Sequence, residues 1–250
     1  MQQYVHDKPD IETSSEGYAG RFQGAAGQYF LEVQENCVRH LLTDCMTSVL
    51  DVGGGHGQLT PLFHSRGCGI TMLGSDDSCH SRLRDKYPDN DIEYVTGDLL
   101  NLPFENQQFD LVIAVRLISH ITAWERLIAE LCRVAKNSVI IDYPSVFALN
   151  ALTPLMFKLK KGIEGNTRTY TSFSRRRLAN CFRENDFEVR IARSQFFLPM
   201  FLHRALKGPR PLQVAETGLR KLGMTHVFGS PVVLRADRRD AGALPDIMTS

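Results

Sequence analysis

The residues with the clearest chemical purpose are a run of glycines, a set of acids near it in sequence, and one histidine. Val49-Leu50-Asp51-Val52-Gly53-Gly54-Gly55-His56-Gly57 puts glycine at every second position after four residues that read as the inner end of a strand. Glycine allows φ > 0 and lets another molecule approach the main chain, so such a turn before a helix suits a nucleotide-like cofactor. Asp51 is the acid of that motif. Asp76 follows a second strand in Gly74-Ser75-Asp76-Asp77-Ser78, where its two carboxylate oxygens can accept from both hydroxyls of a ribose, with Asp77 as the second candidate. Asp98 and Leu99 leave a third strand, and Val115, Arg116 and His120 lie at the end of a fourth. A histidine at that position titrates near neutrality and is the candidate general base, a packing or capping role being the alternative. Arg116, Tyr143, Arg168 and Tyr170 are candidates to hold an anionic or phenolic substrate.

The dinucleotide fingerprint G-x-G-x-x-G does not fit: the third glycine would fall on Gln58 counting from Gly53, or on Thr60 counting from Gly55. What stands here is D-x-G-x-G-x-G, and it resembles the first motif of the class I S-adenosylmethionine-dependent methyltransferases. The stretch Gly97-Asp98-Leu99 through Leu102-Pro103-Phe104 to Phe109-Asp110-Leu111-Val112 is similar to a signature of the group that includes the ubiquinone and menaquinone biosynthesis enzymes. The resemblance implies S-adenosylmethionine as cofactor, held by Asp51, Gly53, Gly55, Gly57, Asp76 or Asp77, Asp98, Leu99 and Val115. In it Asp98 accepts from the adenine amino group and the Leu99 N–H meets the ring. Tyr18 and Phe22 match the aromatics of an element that folds over the cofactor in similar enzymes; pinning an N-terminal helix to the core is an equal reading. No metal is implied. No Asn-Pro-Pro-Tyr follows the fourth strand, which speaks against methylation of planar amide-like nitrogens.

The elements that must position these residues are an alternation of short strands and helices, a doubly wound α/β pattern. The resemblance implies a Rossmann-like, seven-stranded, mostly parallel sheet with an antiparallel edge strand and a helical substrate cover. Strands are expected at 49–52, 70–74, 92–95, 110–115, 138–143, 187–191 and 232–234, and helices at 58–66 and 175–184. Thr122 and Glu125 have capping-box spacing and open a helix through Val134, with Leu127, Ile128, Leu131 and Val134 on its face. Before the first strand, Leu31, Val33, Cys37, Val38, Leu41 and Leu42 share a helical face. The chain divides into an N-terminal cap (1–45), a cofactor-binding half (46–145), cover segments with the last strands (146–236) and a tail (237–250). The opening segment to Ser15 is polar and expected to be mobile, and the tail is expected to be disordered.

Apolar stretches Phe147 to Leu159 and Phe196 to Leu202 lie where the family covers its substrate. They point to a largely apolar or aromatic small-molecule acceptor, methylated on oxygen or carbon. Lys158, Lys160 and Lys161 leave a peripheral membrane contact as a second reading. The chain has 250 residues, with 29 Lys and Arg against 28 Asp and Glu, so nothing suggests a nucleic-acid partner held by phosphate contacts. Its six cysteines form no C-x-x-C pair, and no secretory signal or long uncharged stretch is present, so a soluble cytoplasmic protein is expected. A NAD-dependent dehydrogenase and a non-catalytic cofactor-binding subunit are the alternative functions.

Overall fold

The computed structural model describes residues 8–55, 57–87, 92–148, 171–199, 202–203 and 209–239. Its strands are β1 (Ser48–Val52), β2 (Gly69–Gly74), β3 (Glu93–Thr96), β4 (Phe109–Ala114), β5 (Ala135–Tyr143), β6 (Phe187–Ser194) and β7 (Val232–Arg238). They form one seven-stranded sheet in the order β3-β2-β1-β4-β5-β7-β6. β1 pairs parallel with β2 and β4, β2 with β3, and β4 with β5. β7 runs antiparallel between β5 and β6, so the last two strands form the expected antiparallel pair at one edge. The winding reverses between β1 and β4, and a doubly wound sheet opens a crevice for ligands at the carboxyl ends of the strands there.

The helices are α1 (Pro9–Thr13), α2 (Glu16–Ala19), α3 (Gly24–Arg39), α4 (Thr60–His64), α5 (Ser81–Arg84), α6 (Trp124–Val134), α7 (Arg175–Glu184), α8 (Pro209–Lys221) and α9 (Met224–Phe228). Side-chain alternation splits the core between the two sheet faces. Leu50, Val52, Val112 and Ala114 pack with α6 and α7, while Val49, Leu111 and Ile113 pack with α3 and α4. Leu127, Ile128, Leu131 and Val134 are fully buried, as the spacing along α6 requires. Asp51 has the parity of Val49, so its carboxylate faces α3 at a height where the rest of β1 is apolar.

Several expectations are corrected. Residues 8–15 are ordered: Ser15 caps α2 by accepting from the Tyr18 N–H, and Asp10 of α1 is fully buried. The helix expected at 58–66 shortens to α4, and Gly67 beyond it takes φ 69. α6 begins at Trp124, with Ala123 as its N-cap residue, and Glu125 in its first turn pairs with Arg177 of α7 at 3.1 Å. β7 also runs into the supposed tail, because Asp237 and Arg238 have structural partners. Arg235 donates to both Asp237 oxygens at 2.6 and 2.9 Å and to the Leu41 carbonyl, while Ser138 Oγ donates to Asp237 at 2.8 Å. This buried group ties β7 to β5 and to the chain leaving α3. Asp237→Ala strands a buried guanidinium without its carboxylate, so chemical denaturation should show a loss of about 3–5 kcal/mol.

Candidate functional site

The carboxyl ends of β1, β2, β4 and β5 converge with the N-terminal segment. After β1 the chain turns on Gly53 (φ 72) and Gly57 (φ 58), conformations that side-chain-bearing residues rarely adopt. The Gly53 N–H donates to the Leu73 carbonyl at 2.8 Å, joining the turn to the end of β2. A methyl group on Gly55 would sit 2.0 Å from Ser14 Oγ and 2.4 Å from the Cys79 carbonyl, so the turn is packed closely by the protein's own chain. A small cavity of about 30 Å³ remains beside it, lined by Thr13, Tyr18, Gln34, Asp51, Gly53 and Arg116, among others. That is space for a water or two.

Asp51 is 4 % exposed, and burial pushes its carboxyl up to about 7. Asp142, at the end of β5, is also raised by burial, to about 6, although it accepts from the Arg116 N–H at 2.6 Å. That bond holds the exit of β4, where Arg116 takes φ 60, and the Arg116 guanidinium lies 4.1 Å from the Phe22 ring centroid and donates to Gln34 Oε1. Arg116 therefore faces the cavity under the glycine turn. Val115 lines the same cavity, and so does Tyr18, whose ring lies 5.6 Å from that of Phe22.

Asp76 leaves β2 in extended conformation, partly exposed, and accepts from Ser78 N and Oγ at 3.0 and 2.7 Å. The Ser78 hydroxyl and amide hold its carboxyl below the usual range. Asp77 is exposed and paired with Arg84 at 2.9 Å, on the helix side of the turn. Asp98 is exposed and accepts from the Leu100 N–H at 2.8 Å, while Leu99 is 2 % exposed and belongs to the core. His120 ends the short turn Ile118–His120 next to the cavity-lining residues. Beside it the Thr171 N–H donates to the Ser119 carbonyl at 3.0 Å. Tyr143 is 3 % exposed in the larger core, and burial pushes its phenol up to about 12. Arg168 and Tyr170 lie outside the described residues, as do His56 and most of the stretch from Phe147 to Leu159.

Two residues escaped the sequence reading. Asp10 accepts from Ser75 N and Ser75 Oγ, each at 2.6 Å, and Lys8 Nζ donates to the Ser75 carbonyl at 2.9 Å. α1 is thereby anchored to the end of β2, over the ground between Gly53 and Asp76. Nothing in the polar N-terminal sequence signals that contact. Gln34, 3 % exposed, occupies an inward position of α3 between Val33 and Cys37; a polar residue in an apolar helical stripe is the signal that could have found it.

A twisted parallel sheet with its crevice at the β1–β4 reversal, entered by a glycine turn and an acid on each of the first two strand ends, defines a Rossmann-like ligand-binding domain. Residues 50–141 match the family described as a methyltransferase domain, and the chain carries a domain of the class I, S-adenosylmethionine-dependent kind. It is 29% identical over 169 residues to the ubiquinone/menaquinone biosynthesis C-methyltransferase UbiE of Psychromonas ingrahamii, an alignment covering 60% of this chain and 65% of that protein. It is 29% identical over 104 residues to norajmaline N-methyltransferase of Rauvolfia serpentina, covering 38% and 36%. Among solved structures, magnesium protoporphyrin IX methyltransferase from Synechocystis with bound S-adenosylhomocysteine superposes with a TM-score of 0.62 at 15% identity, over 92% of this chain and 98% of that one, a likeness of fold. The chain spans from a quarter to about two thirds of the length of the curated relatives it matches.

Burial of Asp51 has a measurable cost. In the folded protein the carboxyl keeps its proton to about pH 7, whereas the unfolded chain releases it near the ordinary 3.8, so its contribution to stability falls as pH rises between those values. Asp51→Asn removes that dependence. Compared with the parent in urea denaturation, the variant should gain stability progressively from pH 4 to pH 8, by a few kcal/mol on the order of 1.4 per pKa unit.

Proposed function

We propose that the chain is a methyltransferase that binds S-adenosylmethionine across the carboxyl ends of β1 and β2 and transfers its methyl group to a largely apolar or aromatic small molecule. The observation that carries this reading is the buried Asp51 lining a small cavity at the glycine turn, inside the segment matched as a methyltransferase domain. The residues suit the cofactor. Gly53, Gly55 and Gly57 keep the turn free of side chains, and Asp76 presents a carboxylate already held ionised by its Ser78 donors. Asp98 stands at the third strand end for the adenine amino group. A ligand of nucleoside size fills several hundred Å³, so the segment from Lys8 to Phe22 has to lift from the turn to admit it.

When bound, the cofactor supplies a methyl carbon activated by a sulfonium. The chain's own residues then have little covalent work to do, and rate comes from holding the acceptor in line and excluding water. Where the acceptor is a hydroxyl, His120 takes its proton. Exposed Val146 and Phe147, directly after β5, extend the apolar character of the acceptor side. Similarity to UbiE, a ubiquinone/menaquinone biosynthesis C-methyltransferase by name, supports an apolar acceptor and, of oxygen and carbon, favours carbon; nitrogen is the alternative that the norajmaline enzyme exemplifies.

Titration calorimetry with S-adenosylhomocysteine tests the cofactor half: the parent should bind, and Asp76→Ala should lose roughly tenfold or more in affinity. A variant that binds as well as the parent would transfer the ribose role elsewhere, Asp77 first. Turnover tests the acceptor half. With a phenolic acceptor found by screening apolar extracts for a gain of one methyl group, His120→Ala should lower kcat by about 10²-fold to 10⁴-fold with cofactor affinity unchanged.

A further inference from the structure

Tyr29, Val33, Asn36, Cys37 and His40 fall on one flank of α3, beside the flank that carries Gln34 to the glycine turn. Opposite them stand Glu216, Thr217 and Arg220 of α8, and Arg193 of β6 completes the wall. The cleft between these elements has a volume of about 180 Å³, against about 30 Å³ beside the glycine turn, so it has room for a small organic molecule and not only for water. No described residue lines both cavities.

The charge on the walls is uneven. Arg193 and Arg220 bring two guanidiniums and Glu216 a single carboxylate. Glu216 is 1 % exposed and already answered: Oε2 accepts from the Phe197 N–H at 3.0 Å, while Oε1 accepts from the Leu198 N–H at 2.8 Å and lies 3.3 Å from His203 Nε2. Neither arginine is spent on it. Arg220 gives one N–H to the Gln195 carbonyl at 2.8 Å, which holds its head in place, and Arg193 has no ion pair or hydrogen bond among the described residues. Burial pushes the Cys37 thiol up while Arg220 and Arg193 both pull it back, so the two guanidiniums act on the same part of the wall. Tyr29 is half-buried, its ring held 5.7 Å from those of Phe196 and His203, and its hydroxyl is bonded by no described residue. Val33 and Cys37 add an apolar strip.

Arginine forks match the paired oxygens of a carboxylate or phosphate, and a phenol hydroxyl can donate to the same group. We propose that this cleft is a second ligand site, separate from the glycine turn, which receives a small organic anion: a carboxylate or phosphate head on Arg193, Arg220 and Tyr29, with a short apolar body against Val33 and Cys37. An inorganic anion meets only the charged part of the site and leaves the strip on α3 uncovered.

Benzoate and phenyl phosphate supply the two head groups on one body, and benzyl alcohol supplies the body without charge. Titrated by calorimetry into the full chain, at least one of the anions should saturate a single site with a Kd of about 1 mM or tighter, and the alcohol should not. The tighter of the two identifies the head group. Arg193 and Thr217 are exposed, so Arg193→Gln and Thr217→Glu, the latter placing an acid against the two guanidiniums, should leave the thermal unfolding midpoint unchanged. Each should weaken the anion by about fivefold or more. Saturating S-adenosylhomocysteine should leave the anion's affinity in the parent unchanged. Failure of both anions to saturate, equal binding of the alcohol, or full affinity in both variants would overturn the proposal. Displacement of the anion by S-adenosylhomocysteine would move it to the glycine turn and overturn the proposal as well.

Discussion

A buried carboxylate has to find donors or keep its proton, and three of them shape the carboxyl end of this sheet. Asp142 is answered by the Arg116 N–H, which fixes where the chain leaves β4. Asp10 is answered by the amide and hydroxyl of Ser75, which fixes where α1 lies. Asp51 receives no comparable answer among the described residues, and desolvation raises it to about 7, above Asp142 at about 6. The apolar core on both faces of the sheet supplies the stability that lets such a group persist. Stabilities of whole domains are only about 5–15 kcal/mol, so an acid held at this cost takes a sizeable share of the total.

The sheet was legible because its strands are nearly continuous apolar runs, the pattern of parallel strands covered on both faces. The glycine turn was legible because only glycine suits the backbone at Gly53 and Gly57. What the sequence hid depends on partners distant along the chain. Asp10 reads as a solvated residue until Ser75, 65 positions away, is placed against it. Asp237 reads as part of a charged tail until Arg235 and Ser138 enclose it. The pairing of α6 with α7 was likewise hidden: Arg177 stacks 4.6 Å from the Trp124 ring and takes Glu125 as its partner.

At the candidate site the acids recognised from strand ends do not share one environment. Asp51 is buried, Asp76 is poised by Ser78, and Asp77 is taken by Arg84. Sequence spacing grouped them and put Asp76 ahead of Asp77, but gave no view of burial or of which oxygen is already occupied. Arg116 illustrates the same limit. Its place after β4 suggested the acceptor side, yet a left-handed backbone and the Gln34 amide bring its side chain under the glycine turn.

On the proposed reading, the seating of α1 on the turn makes the N-terminal segment a tethered competitor. Being part of the same chain, it is present at a fixed effective concentration that dilution does not change. Apparent affinity then equals intrinsic affinity multiplied by the fraction of molecules with the segment raised, so an open fraction of about one in a hundred weakens every ligand about a hundredfold. The factor is common to all occupants of the groove. On that reading the equilibrium of Asp10 on Ser75 scales the binding of every ligand alike.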